Sequence, residues 1–295
     1  MKPRKVHYTS LFSHIPDTKP RFPRLNFFLM TNLPFLRQAF RKTSGQTLAF
    51  NEALASRKKS DTIFIFGSGY SVNDMSNEEW GSIREHNTLS FNWFIYQDFV
   101  PIDYHLVRET YAYAKTFEEL RAVGTHYVDV LLSNPHYEKT ILLIQGGRSA
   151  ISGNYIVGYH DLGEDRVIAR FATKSKSLYE PPTRDPAQGL VHGPGSLIDS
   201  INAAILGDWK HIVLVGVDLY DRRYFWLEPD QNDGAREPEK GVDVLHSTAQ
   251  NGILDHVAKW QELMKKEGRV ISIYNPKSLL NRVLPVYETT LRTWA

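Results

Sequence analysis

The segment 211–218, with an unbroken apolar run at 212–217, is the sequence feature that most constrains the fold. It reads His-Ile-Val-Leu-Val-Gly-Val-Asp, and a run so rich in β-branched residues is typical of a strand buried on both faces. A second such run at 61–66 leads into a glycine turn at 67–69. Helical periodicity follows these runs, at 76–85 and at 251–267. Strands that alternate with helices predict an α/β fold whose ligands bind at the carboxyl ends of a mainly parallel sheet.

The rest of the chain supplies further elements of the same two kinds. Strands are predicted at 88–94, 104–107, 128–132, 140–144 and 270–274, and helices at 116–122 and 195–206. Ser76 followed by Glu79 matches the capping box that starts a helix, and Gly268 is the type of residue that ends one. The pattern is that of one sheet covered by helices.

Two stretches interrupt this regularity. Residues 145–190 are rich in Gly, Ser, Pro and charge with little periodicity, and residues 227–244 are polar and acidic. We interpret both as a lid and acceptor-binding region, because long irregular stretches within a domain are usually functional. The chain then divides into a basic, aromatic-rich arm at 1–58 and one α/β domain at 59–295. The expected fold is a single Rossmann-like, GT-A-like nucleotide-binding domain with a lid insertion and a basic N-terminal arm.

Charge is concentrated in the first 42 residues, which carry nine Lys/Arg against the single acid Asp17. An apolar block rich in Phe and Leu lies within this stretch, at 25–36. Basic and aromatic residues interleaved in this way suit the surface of an anionic membrane. A solvated arm that packs its aromatic residues on the main domain fits the same pattern. Nucleic acid is not expected as a partner, because the rest of the chain lacks a broad basic face.

Composition excludes several kinds of chemistry. The chain has no cysteine, so thiol catalysis, disulfides and thiolate metal or iron–sulfur sites are ruled out. No run reaches the roughly 18 apolar residues that a membrane-spanning helix requires. The aspartates Asp218 and Asp221 are spaced Asp-x-x-Asp, whereas metal-binding aspartates of many sugar transferases lie one residue apart. No metal site is expected.

The glycine turn Gly67-Ser68-Gly69 is the first candidate for ligand binding. A glycine turn after a strand lets backbone N–H groups approach a phosphate or a ribose. The dinucleotide fingerprint needs a third glycine, and Val72 stands in its place. The sequence therefore disfavours an NAD enzyme, and glycines that merely turn the chain remain an alternative.

Asp218, Tyr220 and Tyr224 form the second candidate site, immediately after the strand at 211–217. Residues at the carboxyl end of a central strand face the ligand crevice, where two phenols would donate hydrogen bonds to a phosphate. The alternative is structural, with Asp218 capping a turn and the two tyrosines packing as amphipathic walls.

His246 is the third candidate, between the acidic loop and a helix that Ser247 or Thr248 would cap. Its ordinary pKa near 6.5 suits a side chain that takes a proton from a sugar hydroxyl. A histidine that stands alone in the sequence is also commonly structural or merely exposed.

Taken in order, these motifs resemble the bacterial sialyltransferases of lipooligosaccharide, which use CMP-N-acetylneuraminic acid. The resemblance covers residues 62–283 in pieces. Its best-matched segments are Ile65-Phe-Gly-Ser-Gly-Tyr-Ser71, Ser90-Phe-Asn-Trp-Phe94, Gly195 through Ala204-Ile-Leu-Gly207, Ile212-Val-Leu-Val-Gly-Val-Asp-Leu-Tyr220, His246-Ser-Thr and Ile273-Tyr-Asn-Pro-Lys-Ser-Leu-Leu280.

The resemblance implies a metal-independent, inverting glycosyltransferase that moves an acidic sugar from CMP to a glycan or glycolipid hydroxyl. It makes His246 the general base and makes Tyr220 and Tyr224 the donors to the departing phosphate, next to Asp218. It implies a nucleotide site formed by Gly67, Ser68, Gly69, Asn92, Gly193, Gly195 and Ser196. The absence of cysteine fits a cytoplasmic location, and the basic, aromatic-rich residues 1–42 favour peripheral contact with the inner membrane.

The match departs from the family pattern at three positions. Ser68 stands where the family has Asn, Pro194-Gly195-Ser196 replaces a Ser/Thr before the helix, and His192 replaces an Arg. These changes leave nucleotide binding in place and leave the donor sugar open.

Three alternative functions remain. A transferase that uses CMP-Kdo and retains configuration would need a carboxylate nucleophile, for which Asp218 and Glu109 are the candidates. A pterin diphosphokinase-like enzyme would need magnesium and ATP. A non-catalytic nucleotide-binding module would bind CMP without turnover.

Overall fold

The computed structural model describes residues 23–41, 45–108, 114, 116–148, 150–175, 180–220, 223–228, 247–289 and 291. Its strands are β1 (Gln46–Leu48), β2 (Thr62–Phe66), β3 (Asn87–Phe91), β4 (Tyr104–Val107), β5 (Ile141–Gln145), β6 (Val167–Phe171), β7 (Thr173–Ser175), β8 (Leu190–His192), β9 (His211–Val215) and β10 (Val270–Ile273). Its helices are α1 (Pro23–Phe40), α2 (Phe50–Ser56), α3 (Asn77–Ile83), α4 (Phe117–Ser133), α5 (Ile151–Tyr159), α6 (Ser196–Leu206), α7 (Ser247–Gln250) and α8 (Ile253–Lys266).

Eight of these strands form one sheet in the order β1-β6-β5-β4-β3-β2-β9-β10, and every neighbouring pair is parallel. β7 and β8 form a separate two-stranded parallel sheet. The α/β fold with a parallel sheet predicted from the strand and helix pattern is confirmed.

Side chains alternate between the two faces of the sheet, and each face has its own core. On one face, Ile63, Ile65 and Leu214 pack with α2, α6 and α8. On the other, Phe64, Phe66 and neighbouring residues pack with α3, α4 and α5. The strands are therefore buried on both sides, which explains why they read as continuous apolar runs rather than as an alternating pattern.

Two predicted elements differ from the structure. Residues 128–132 were predicted as a strand but lie within α4, whose buried face includes Tyr127, Val128 and Leu131. A short β-branched and leucine-rich run cannot be assigned by periodicity alone. The strand predicted at 88–94 ends at Phe91, because Asn92 takes a positive φ of 51° and starts a 3₁₀ turn.

The predicted domain boundaries also shift. Residues 46–56 belong to the main fold rather than to the arm, since β1 pairs with β6 and α2 buries Phe50, Ala53 and Leu54. The stretch 145–190 contains α5 and the interior strand β6. The low periodicity of α5 has a simple cause, because eight of its nine residues are buried and no polar face remains to mark it.

Candidate active site

The strand order reverses beside β2, which has β3 on one side and β9 on the other. In parallel α/β sheets, the loops that leave the carboxyl ends of two such strands separate and open a crevice for ligands. Here those loops follow Phe66 and Val215. The candidate residues that the structure describes lie on these loops, on the end of β3, and at or just before the start of α6.

Backbone hydrogen bonds join the two loops directly. Gly67 N–H donates to Val215 O at 2.8 Å, and Gly69 N–H donates to Gly216 O at 2.8 Å. A β-carbon on Gly69 would lie 2.5 Å from Asp218 Oδ2 and 2.7 Å from Gly216 O. Both glycines therefore serve the close approach of the two loops, and their N–H groups are used within the protein.

Asp218 lies between these loops with only 3% of its surface exposed. Its carboxylate accepts hydrogen bonds from Ser71 N at 2.9 Å, from Ser71 Oγ at 2.5 Å and from Asn275 Nδ2 at 3.2 Å. These bonds connect the loops that follow β2, β9 and β10. The geometry favours the structural interpretation of Asp218 over a role as nucleophile.

The two tyrosines lie on the same loop with different exposure. Tyr220 is half-buried, and Tyr224 is 36% exposed. The backbone of Tyr224 forms an antiparallel bridge with Gly69, and Phe225 N–H donates to Ser68 O at 3.2 Å. The structure thus brings Tyr224 against the glycine turn. Between Asp218 and Tyr220, Leu219 takes a positive φ of 64°, a strained conformation for a residue with a branched side chain.

Asn92 links the end of β3 to the start of α6. Its Nδ2 donates to Ser196 Oγ at 3.2 Å. Gly195 precedes the helix with a φ of 104°, and no side chain caps the helix N-terminus. An uncapped helix start carries free N–H groups and a partial positive charge, which suit an anion. The structure brings Asn92, Gly195 and Ser196 together, as the sequence interpretation required.

A buried hydrogen-bond network holds the strained backbone of Asn92. Tyr127 OH donates to Asn92 O at 3.3 Å and also contacts Nε2 of His105. Nδ1 of His105 lies 2.7 Å from Ser90 Oγ, which lies 3.1 Å from Tyr137 OH. Burial lowers the pKa of His105 to about 3, so the ring is neutral, with one nitrogen donating and the other accepting. The bonds then run in one direction, with Nε2–H donating to Tyr127 and Tyr127 donating to Asn92.

A charged cluster that the sequence analysis missed lies at the first turn of α6. Asp199 is fully buried, and its Oδ2 lies 2.8 Å from Nδ1 of His192. Arg108, at the end of β4, places Nε 3.8 Å from Asp199 Oδ1. Burial raises the pKa of Asp199, and the His192 and Arg108 side chains oppose that shift. An acid inside an apolar helical stretch, three residues after Ser196, was the available signal.

Gly193 and the start of α7 also lie at this edge of the sheet, close to the start of α6. A β-carbon on Gly193 would lie 3.1 Å from the ring of His256 in α8, and one on Gly195 would lie 3.7 Å from Cγ2 of Thr248. Thr248 therefore lies against the start of α6. His246, two residues earlier, lies outside the described residues, as do Glu109 and most of the loop 227–244.

Within the described ranges, no group of three or more His, Asp or Glu side chains is placed to hold a metal ion. The carboxylate of Asp218 is already bonded to Ser71 and Asn275.

No protein-family model and no curated protein sequence matches the chain. Two solved structures are similar at low identity. A variant of the sialyltransferase Cst-II in complex with CMP has a TM-score of 0.44 at 12% identity, over 79% of this chain and 89% of the other. The monofunctional alpha-2,3-sialyltransferase Cst-I from Campylobacter jejuni has a TM-score of 0.45 at 13% identity, over 86% of this chain and 87% of the other. Both similarities are at the level of the fold.

Proposed function

We propose that the protein is a glycosyltransferase that moves an acidic sugar, sialic acid or a related one, from CMP to a glycan hydroxyl. The observation that carries the proposal is the convergence at the start of α6. Asn92, Ser196 and Thr248 come from three distant parts of the sequence and meet there. This convergence supports a single crevice for the nucleotide motifs and the segment that follows His246.

In this proposal CMP binds between the turn at Ser68 and the start of α6. The helix N-terminus offers N–H groups to the phosphate, and Asn92 with Ser196 offers amide and hydroxyl groups to the nucleoside. Because the amides of Gly67 and Gly69 donate to Val215 and Gly216, these glycines shape the crevice rather than bind the phosphate.

The transfer itself is an inverting displacement. His246 takes the proton of the acceptor hydroxyl, whose oxygen forms a bond to the anomeric carbon. The bond from that carbon to the phosphate oxygen breaks, and CMP leaves with the electron pair. The phenols of Tyr220 and Tyr224 donate hydrogen bonds to the phosphate as its charge develops, so they stabilise the transition state more than the bound donor. No metal takes part.

Substitution of the proposed base tests this function. We expect the purified protein to hydrolyse CMP-N-acetylneuraminic acid or to transfer its sugar to a glycan acceptor, and we expect His246→Ala to lower transfer by about 10²-fold or more. His211→Ala is the matched control, because His211 is an exposed histidine at the amino end of β9.

Unimpaired transfer by His246→Ala would overturn the role of His246. Activity on CMP-Kdo alone, with retention of configuration, would replace the proposal by the carboxylate-nucleophile alternative. Binding of CMP without turnover of either sugar nucleotide would make the protein a non-catalytic module.

A further inference from the structure

The outer face of α1 carries most of the exposed large apolar side chains of the described residues. Nine such side chains are exposed in the part of the chain that the structure describes, and six belong to this helix: Leu25, Phe28, Leu33, Leu36 and Phe40 on its outer face, and Phe27 near its start. Phe40 is 87% exposed. Single exposed apolar residues are ordinary, but a cluster on one helix marks an interaction surface.

The inner face of the same helix is fixed to the body of the protein. Met30 and Pro34 are buried there, and α1 passes so close to α5 that a β-carbon on Gly158 would lie 3.1 Å from Pro34 O and from Gln38 N. Arg37 Nε also donates to Gly158 O at 3.0 Å. The orientation of α1 is therefore set by packing, and its apolar outer face is a built surface.

A cavity of about 400 Å³ opens beside this face, between α1, α4 and α5. Its walls include the rings of Tyr155 and Tyr159, stacked at 4.7 Å, and the ring of Phe117. Arg37 and Arg121 supply its charge, with the Arg37 guanidinium 4.4 Å from the centre of the Tyr159 ring. Within the described ranges, neither arginine is paired with a carboxylate, so the positive charge on the cavity wall suits an anionic group.

The cavity and the apolar face adjoin. Leu33, Arg37 and Phe40 are spaced by four and three residues, and side chains at that spacing share one face of a helix. A ligand with an anionic group in the cavity would thus place an apolar portion against Leu33 and Phe40. That combination is the chemistry of an anionic lipid.

We propose that α1 lies on an anionic membrane surface and that a lipid phosphate occupies the cavity between Arg37 and Arg121. The apolar outer residues enter the boundary between headgroups and acyl chains. No helix of the described chain has the length and apolarity needed to cross a bilayer, and an amphipathic surface helix needs neither.

Charge favours a lipid over a second copy of the chain as the occupant of this face. Residues 1–42 hold nine Lys/Arg against one acid. Two such segments facing each other in a dimer would repel, whereas an anionic bilayer attracts each cation near its surface. The vesicle assay described below uses no substrate. Its result is therefore independent of whether the proposed transfer reaction is correct.

Vesicle binding by the full-length protein tests the proposal. We expect vesicles of phosphatidylcholine with phosphatidylglycerol to bind at least tenfold more strongly than phosphatidylcholine alone. Arg121→Gln should lower binding to the anionic vesicles about fivefold. Arg282→Gln, at an exposed arginine of the 3₁₀ turn after β10, makes the same charge change and should leave binding unchanged.

A second pair of variants tests the apolar part of the surface. Phe40→Gln should lower binding to anionic vesicles tenfold or more, because a phenylalanine ring no longer leaves water. Leu132→Gln, at a leucine that is 41% exposed on α4, should have no effect. Circular dichroism of each variant confirms that it is folded.

Three results would overturn the proposal. One is equal binding of Phe40→Gln, Arg121→Gln and the unaltered protein to anionic vesicles. Another is a dimer in sedimentation velocity that Phe40→Gln dissociates, which would assign the face to a second copy. The third is full competition by millimolar glycerol phosphate with no effect of Phe40→Gln, which would make the cavity a site for a free anion.

Discussion

Asp218 and Tyr224 both lie on the loop that follows β9, but their side chains have different surroundings. The carboxylate of Asp218 is almost wholly buried and accepts hydrogen bonds from Ser71 and Asn275. Tyr224 is 36% exposed beside the glycine turn. At the residue scale, this loop thus contains a buried carboxylate, Asp218, that holds neighbouring loops together, and an exposed ring, Tyr224, that a ligand can reach.

The tyrosines can be tested by removing one hydroxyl at a time. Tyr220→Phe and Tyr224→Phe keep the ring and remove only the donor, so we expect turnover to fall about tenfold to a thousandfold with little change in donor binding. The double variant should lose less than the product of the two single effects, since the proposal has both phenols donate to one phosphate. Steady-state kinetics and melting temperatures of the same variants measure this. Lower stability with normal turnover would assign the tyrosines to packing alone.

His105 gives the protein a defined sensitivity to acid. Burial lowers its pKa from 6.5 to about 3, so between these values the unfolded chain binds a proton that the folded protein does not. The stability present above pH 6.5 is therefore lost as the pH falls, by about 2 kcal/mol between pH 6.5 and pH 5. His105→Gln lacks this contribution, so the stability difference between the two proteins should shrink by that amount in urea unfolding. A difference that is constant with pH contradicts the prediction.

At the element scale, the glycines after β2 are required by the contact of two loops. A β-carbon on Gly69 would meet Asp218 Oδ2 and Gly216 O at 2.5 and 2.7 Å, whereas one on Gly81 in α3 meets nothing within 4 Å. We expect Gly69→Ala to destabilise the protein by about 1–3 kcal/mol. Gly81→Ala is the control and should stabilise it by about 0.5–1 kcal/mol, because alanine favours the helix. Urea unfolding measures both, and a neutral Gly69→Ala would refute the steric argument.

The end of β3 depends on a helix that packs behind it. Tyr127 of α4 donates to Asn92 O, whereas the Tyr137 hydroxyl bonds to Ser90, at the far end of the network. Tyr127→Phe should weaken CMP binding about tenfold, because the Asn92 carbonyl loses this hydrogen bond and the positive φ of Asn92 is held less firmly. Tyr137→Phe should leave binding within about twofold, although each variant loses roughly 1–3 kcal/mol of stability. Calorimetric titration with CMP compares them. Equal losses of affinity would show that the network does not position Asn92.

Sequence patterns predicted the elements whose signal is local. The apolar run of β9, the capping box of α3 and the glycine that ends α8 all appear in the structure. The helix α5 and the strand β6 were not predicted, because α5 is buried all round and has no polar face. The edge strand β1 has only three residues, too few for a periodic signal.

In the candidate site, too, only the contacts that follow from local sequence signals could be predicted. The approach of Asn92 to Ser196 could be predicted, because both follow from strand ends and helix starts at one sheet edge. The cluster of Arg108, His192 and Asp199 could not be, since its members are brought together only by packing. Contacts between segments that are distant in the chain leave no local pattern in the sequence. The contacts of this cluster are of that kind.

At the scale of the whole molecule, the described structure has one core on each face of one continuous sheet. The strands contribute alternate side chains to both cores, for example Ile65 to one and Phe64 to the other. Neither core can be lost without exposing the sheet that supports the other. Stability and the ligand crevice are therefore properties of the same sheet, since the crevice is formed where its central strands end.

Thermal unfolding should accordingly show a single transition that CMP moves upward. CMP at about 100 times its Kd stabilises the native state by about 2.7 kcal/mol, which corresponds to a rise in Tm of roughly 5 °C for a chain of this size. Scanning calorimetry with CMP, UMP and AMP in the presence of EDTA measures the effect. We expect CMP to raise Tm most, because Asn92 and Ser196 offer fixed polar groups to the base and ribose, and EDTA should not alter the shift because no metal is proposed. An equal shift with all three nucleotides would reduce the site to a phosphate-binding helix start. Two separate transitions would contradict the coupling of the two cores through the sheet.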